Sequence, residues 1–294
     1  MTPNYNHGDT TYTWTGPVYT TIYDTGGTDT IDVSGYDDLN ITLDLRPSTI
    51  SYIGTAEVRA EIPTGTGSND YIMENTGFPV GIAENTFIEN VNAGSGNDTI
   101  TCNTAVNAIN CGAGDDTIEG IATGDTINAG DGDDNFSPTN TSFTLIDGGA
   151  GSDTLYLYHD YVASSSGPYS GYVDLRTFTD AQLTNIEKTD ISADGVATSL
   201  ILTKNAIDDL EGARWAIDNY PASDEHKIVY ITASSVDKLF LFPWTGQGNG
   251  GWTYALSDSD YHYWTYTEGE GSSPAQTFFA WNKSAGNIVY DFTS

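Results

Sequence analysis

Glycine and aspartate recur at fixed spacing in four segments: Gly94-Ser-Gly-Asn-Asp98, Gly112-Ala-Gly-Asp-Asp116, Gly130-Asp-Gly-Asp-Asp134 and Gly149-Ala-Gly-Ser-Asp153, with Gly96, Gly114, Gly132 and Gly151 between the outer two positions. The closing aspartates follow one another every 18 or 19 residues. Carboxylates and the bare carbonyls of glycine turns are hard oxygen donors. A cation that gathers roughly six to eight oxygens at relaxed geometry suits them, which means calcium and not a transition metal. One such segment is weak as a signal, whereas four in register are specific. The helix-loop-helix calcium loop is excluded, because no segment combines glycine at its sixth position with glutamate at its twelfth.

Donors on separate segments can share an ion only if the chain stacks those segments. Each aspartate is followed by a small or polar residue and then an apolar one, namely Ile100, Ile118, Phe136 and Leu155. This is the glycine-rich nonapeptide G-G-x-G-x-D-x-U-x, in which each repeat gives a turn and a short strand with its apolar residue inward. Two nonapeptides make one coil of a right-handed parallel β-roll, so residues one coil apart lie above one another. The intervening blocks Cys102–Asn110 and Gly120–Asn128 keep the apolar residue (Ile109, Ile127) but lose most of the glycine and acid pattern. The intact motifs should therefore line one edge and make three inter-coil sites, with little or no metal on the opposite edge.

The chain has 294 residues, with 9 Lys and Arg against 41 Asp and Glu, a net charge of −32. A surface so acidic repels nucleic acid and anionic membrane, so neither is expected as a partner, and without metal it opposes the compact state. Disorder is not expected, since 38% of the residues are hydrophobic and Thr, Ile, Val and Tyr are abundant. Cys102 and Cys111 occupy equivalent positions on opposite edges of the expected roll and should not bridge. No secretory signal opens the chain and no membrane-spanning apolar run occurs in it. No catalytic residue is assigned: the four histidines, His7, His159, His226 and His262, cannot form H-E-x-x-H, and there is no G-x-S-x-G elbow or Walker A loop. Gly246-Gln-Gly-Asn-Gly-Gly251 fits a dinucleotide loop only formally, because no helix pattern follows it.

The N-terminal segments carry a family resemblance. His7-Gly-Asp-Thr10, then Tyr23-Asp-Thr-Gly-Gly-Thr-Asp-Thr-Ile-Asp-Val-Ser-Gly-Tyr36, then Ile88-Glu-Asn-Val91 leading into the first glycine-aspartate repeat, resemble in the same order the C-terminal calcium-binding (RTX) domain of the serralysin metalloproteases. The resemblance spans roughly Gly8 to Tyr156. It implies a further calcium site held by Gly8, Thr10, Asp24, Gly26, Gly27, Asp29 and Glu89, and export by a type I system. Asn6 stands where the family has arginine, and Thr55–Phe87 is longer than the family's segment, which leaves the loop Gly65–Asp70 unassigned.

Two domains are expected: a calcium-binding β-roll over 1–157 and a β-rich aromatic domain over 158–294, a solenoid continuation plus cap. Short β segments recur at 172–175, 186–191, 199–203, 227–231 and 238–242; Asn185-Ile-Glu187 echoes Ile88-Glu89 but is read as coiling without a metal turn. This half weakly resembles modules of RTX adhesins. The one helix pattern is Asn205–Asn219. Trp252, Tyr261, Trp264 and Tyr266 are candidates for an exposed binding platform, the alternative being core. The functional expectation is a secreted, non-enzymatic calcium-binding protein with a structural, adhesive or surface-layer-like role. Its partners would be calcium, a second copy of itself, or cell-surface polysaccharide. The alternative is a carbohydrate-binding or secretion module of a larger secreted enzyme.

Overall fold

The computed structural model describes residues 8–14, 19–36, 39–54, 78–157, 172–174, 178 and 182–191, and the strand residues 199–202, 214–215, 226–232, 238–241, 251–257, 261–268, 275–282 and 288–290. Every element among them is a strand. The chain separates into two compact units, Met1–Gly120 and Ile121–Ser294.

In the first unit the chain coils between two parallel sheets. Thr30–Asp32, Asn90–Asn92 and Ala108–Ala113 pair in parallel, with Ile31, Val91 and Ile109 in register and buried. Across the core, Ile41–Asp44, Thr99–Thr101 and Thr117–Ile121 do the same, with Leu43, Ile100 and Ile118 stacked. Alternation places branched apolar side chains of each strand inside, and parallel register repeats them from coil to coil. Ile50–Ile53, just before the longer segment seen in the sequence, and Phe78–Ile82, within it, depart from this scheme: Ile50–Ile53 runs antiparallel to both Ile41–Asp44 and Phe78–Ile82. The loop Gly65–Asp70 lies outside the described residues.

The second unit repeats the coil. Thr126–Asp131, Leu145–Ala150 and Leu183–Thr184 form one sheet, and Asn135–Pro138, Thr154–Tyr156 and Lys188–Asp190 the other. Ile127, Ile146 and Leu183 are buried in register on one side, Phe136 and Leu155 on the other. The parallel ladder continues through His226–Thr232 to Ala275–Asn282, onto which Tyr261–Glu268 and Gly251–Ser257 add an antiparallel meander. A separate parallel ladder joins Tyr172–Asp174, Ser199–Leu202, Lys238–Leu241 and Ile288–Tyr290. The helix expected over 205–219 does not run through Arg214–Trp215, because these residues pair antiparallel with Lys227 and His226; the rest of that stretch lies outside the described residues. The fold is all-β: a parallel β-roll followed by a β-rich C-terminal region.

Candidate metal centre

Each glycine-aspartate turn leaves one sheet and delivers its aspartate to the residue just before the next strand. Asp98, Asp116, Asp134 and Asp153 are all buried. Parallel register then sets up a ladder along the turns. Ile41 N–H donates to Oδ1 of Asp98 (2.9 Å), and Asp98 N–H donates to Oδ1 of Asp116 (2.7 Å). In the second unit Asp134 N–H donates to Oδ1 of Asp153 (2.8 Å), and Asp153 N–H to Oε2 of Glu187 (2.8 Å). One carboxylate oxygen of Asp98, Asp116, Asp153 and Glu187 thus ties its turn to the neighbouring one. The other oxygen, Oδ2, has no hydrogen-bond donor at Asp98 or Asp153 although it is buried.

The glycines explain why these turns can stack so closely. Gly112 (φ +112°) and Gly149 (φ +95°) are left-handed, and a Cβ at either would overlap the carbonyl oxygen of Gly94 or Gly130 one coil below. Gly114 and Gly151 stand in the same way over the carbonyls of Gly96 and Gly132, and a Cβ at Gly96 would meet the carbonyl of Leu39. Carbonyl oxygens that no side chain covers therefore face the adjacent turn at these glycines.

Burial without a counter-charge makes ionisation of these acids expensive. Burial pushes Asp153 up to about 7, with Glu187, Asp134 and Asp133 adding like charge and the Asp134 amide partly offsetting both. Asp98 is pushed up to about 6 by burial, against the pull of the Ile41 and Gly94 amides. Glu187 is raised by burial as well.

The N-terminal residues form a second ladder of the same construction on the opposite edge. Thr10 N–H donates to Oδ1 of Asp29 (3.0 Å), and Asp29 N–H to Oε2 of Glu89 (2.7 Å). A Cβ at Gly27 (φ +120°) would overlap the backbone of Gly8 and Asp9, so Gly26–Gly27 lies directly on the Gly8–Thr10 turn. Asp24, which is buried, accepts from the Tyr12 hydroxyl (2.7 Å) and the Gly26 amide (3.3 Å). Asp29 is pushed up to about 6 by burial and then by Asp24, Glu89 and Asp9. The fold therefore brings together Gly8, Thr10, Asp24, Gly26, Gly27, Asp29 and Glu89. Tyr12 was not legible as a member of this group, since nothing in its spacing marks it.

Further along that edge the turn is closed by amides. Asn103 Nδ2 donates to the carbonyls of Ile88 (2.7 Å) and Leu45 (3.2 Å), and its Oδ1 accepts from Ala105. Asn107 Nδ2 donates to the carbonyls of Ile88 (3.0 Å) and Glu89 (3.2 Å), and its Oδ1 accepts from Asn103 N–H. Cys102 and Cys111 are buried and form no disulfide.

These donor sets fit calcium. Among the described residues no three His, Cys, Asp or Glu side chains converge as a metal-binding group. These residues thus form no compact side-chain cage, but a turn site draws most of its oxygens from carbonyls and needs few carboxylates. The aromatic candidates sit on the C-terminal meander, where register sets Trp252 opposite Tyr266, Tyr254 opposite Trp264, and Trp264 opposite Phe279. Tyr261, opposite Asn282, falls on the alternate phase of its strand.

A family model described as peptidase M10 serralysin C terminal matches residues 9–192. The match extends past the last glycine-aspartate turn to the strand following Glu187. No curated protein shows a significant match to the chain.

Proposed function

The chain belongs to the serralysin C-terminal family, and on that premise we propose that it is a non-catalytic, calcium-folded extracellular domain with a structural or adhesive role. Members of the family bind calcium and are secreted, and the match covers their RTX domain and not a protease domain. The observation that carries the proposal is the ladder of buried acids, Asp98 with Asp116 and Asp134 with Asp153, beside carbonyls that no side chain covers. In this reading those aspartates, with Gly94, Gly96, Gly112, Gly114, Gly130, Gly132, Gly149 and Gly151, hold calcium between coils. Asp24, Asp29 and Glu89, with carbonyls of Gly8, Thr10, Gly26 and Gly27, hold another ion. The metal supplies positive charge; the chain supplies preformed oxygens and a dry interior that keeps them aligned.

A chain at −32 that stiffens only when calcium is present suits export in an unfolded form and folding outside, where it can act as a surface-layer or adhesin component. The calcium-binding part would be 1–157 and the aromatic part 158–294, with Trp252, Tyr261, Trp264 and Tyr266 offered to a second copy or a polysaccharide. Light scattering at rising calcium tests this, with Trp252→Ala and Trp264→Ala as controls. Growth of assemblies that both substitutions reduce is expected. A strict monomer at millimolar calcium would contradict self-assembly and leave glycan binding to be tested on the same variants. One observation favours a second reading, a carbohydrate-binding or secretion module of a larger type I secreted enzyme: the matched family is itself the C-terminal part of a peptidase. A catalytic domain in the same reading frame would establish it.

A further inference from the structure

The two acid ladders end alike. In the N-terminal ladder Asp29 N–H donates to Glu89, and the next residues, Thr30 and Asn90, are register partners in parallel strands. In the repeat ladder Asp153 N–H donates to Glu187, and the next residues, Thr154 and Lys188, are again register partners. Glu187 thus stands where a fifth aspartate of the repeats would stand, although no glycine-aspartate motif announces it. Its longer side chain spans the step from a turn that lacks the repeat's glycines.

The surroundings of Glu187 are those of a cation site. Asp153 is fully buried, and its Oδ2 has no hydrogen-bond donor. That oxygen and the carbonyl oxygen of Asn185 both lie within 2.5 Å of the point where a Cβ on Gly148 would stand, so two hard donors converge beside a bare glycine. Asn185 is held in the left-handed region (φ 54°), which few non-glycine residues adopt, and its Nδ2 donates to Oδ1 of Asp147 (2.7 Å). This conformation turns the Asn185 carbonyl toward Asp153. Glu187 is itself 94% buried, with 6% of its surface exposed. Lys188 offsets the charge of Glu187 only in part, against burial that raises it, and the charges acting on Asp153 are all carboxylates, so two buried carboxylates and an inward carbonyl gather an excess of negative charge.

We propose that Asp153, Glu187 and the Asn185 carbonyl hold a calcium ion of their own, at the turn that the sequence pattern suggested was metal-free. The site closes the repeat ladder as Glu89 closes the N-terminal one. It rests on the reading of the stacked aspartate turns as calcium sites, and it adds to them a position outside the glycine-aspartate repeats.

Isothermal calcium titration of the full chain tests it, comparing wild type with Glu187→Gln and Glu89→Gln. Glutamine keeps an oxygen to accept from Asp153 N–H, so a purely structural role survives the change while a charged ligand is lost. Glu187→Gln should bind one ion fewer than wild type, and the double variant two fewer. An unchanged count for Glu187→Gln, with binding elsewhere intact, overturns the site and leaves the aspartate turns standing. A wild type that binds no calcium overturns both. Melting in chelator gives a second reading that does not depend on the count: Glu187→Gln should melt no lower than wild type there, and lower only in calcium. An equal drop in both conditions would show that the Glu187 carboxylate stabilises the fold without metal, and overturns the proposal.

Discussion

Two turns of the first unit, on opposite edges of its coil, solve the same problem in opposite ways. Both must bury polar groups where the chain passes from one sheet to the other. The turn at 103–107 uses amides, and every polar atom of the Asn103 and Asn107 side chains meets a backbone partner. The turn at 94–98 uses a carboxylate, which accepts from Ile41 through one oxygen and leaves the other buried without a donor. A neutral amide carries both donor and acceptor and closes its turn alone. A carboxylate only accepts, so among bare carbonyls it needs a cation from outside. The asparagine turn should therefore be indifferent to calcium and the aspartate turn dependent on it.

Exchanging the two chemistries gives the largest expected effect. Asn103→Asp replaces a donor facing the Ile88 and Leu45 carbonyls with a negative charge. It should cost about 3–5 kcal/mol, the range for an uncompensated buried charge. Urea unfolding in chelator and in calcium would measure it. A loss that calcium fully restores would mean that the asparagine turn is a dormant metal site and that the contrast is one of residue type alone.

Asp98→Asn, the reverse exchange, should change sign with the metal. The amide oxygen can still accept from Ile41 N–H, and the buried charge is gone. In chelator the variant should match or exceed wild type by about 1 kcal/mol, a typical single hydrogen-bond-scale change. In calcium it should fall below wild type and need more calcium to fold. Loss of stability in both conditions would show that the Asp98 carboxylate stabilises its turn without metal, and would contradict the charge argument.

A smaller effect follows from pH. Asp29, Asp98 and Asp153 titrate at about 6, 6 and 7 in the folded chain, against 3.8 without these surroundings. Raised carboxyl values mean that the fold takes up protons more readily than the unfolded chain. Their stabilising contribution is complete below about 3.8 and is lost as pH rises through about 6 to 7. In chelator the melting temperature should fall across that window, and Asp153→Asn should flatten its upper end. Calcium affinity should rise over the same window, since the ligands must be deprotonated. A chelator curve that rises with pH would contradict the burial argument.

What the sequence showed of all this follows from which signals are local. The nonapeptide spacing announced Ile100, Ile118, Phe136 and Leu155 as core and the aspartates as stacked, because in a roll the sequence period is also the spatial period. Ile109 and Ile127 were legible for the same reason. The Asn103 and Asn107 network was not, since its partners Leu45 and Ile88 lie in other coils and asparagine in a turn looks like any surface turn. Glu187 was visible only as an echo of Glu89. Its link to Asp153 crosses a 34-residue separation that no repeat spans. The helix pattern at 205–219 misled because four apolar residues at helical spacing do not outweigh pairing of Arg214–Trp215 with a neighbouring strand.

The central claim is that the buried aspartate edge is incomplete without calcium. Far-ultraviolet circular dichroism of the wild-type chain, melted at neutral pH in chelator and again in millimolar calcium, tests it most directly. The account predicts weak β signal or a low, broad transition in chelator, and a cooperative transition tens of degrees higher in calcium that magnesium does not reproduce. Identical β signal and melting temperature in the two conditions would contradict it.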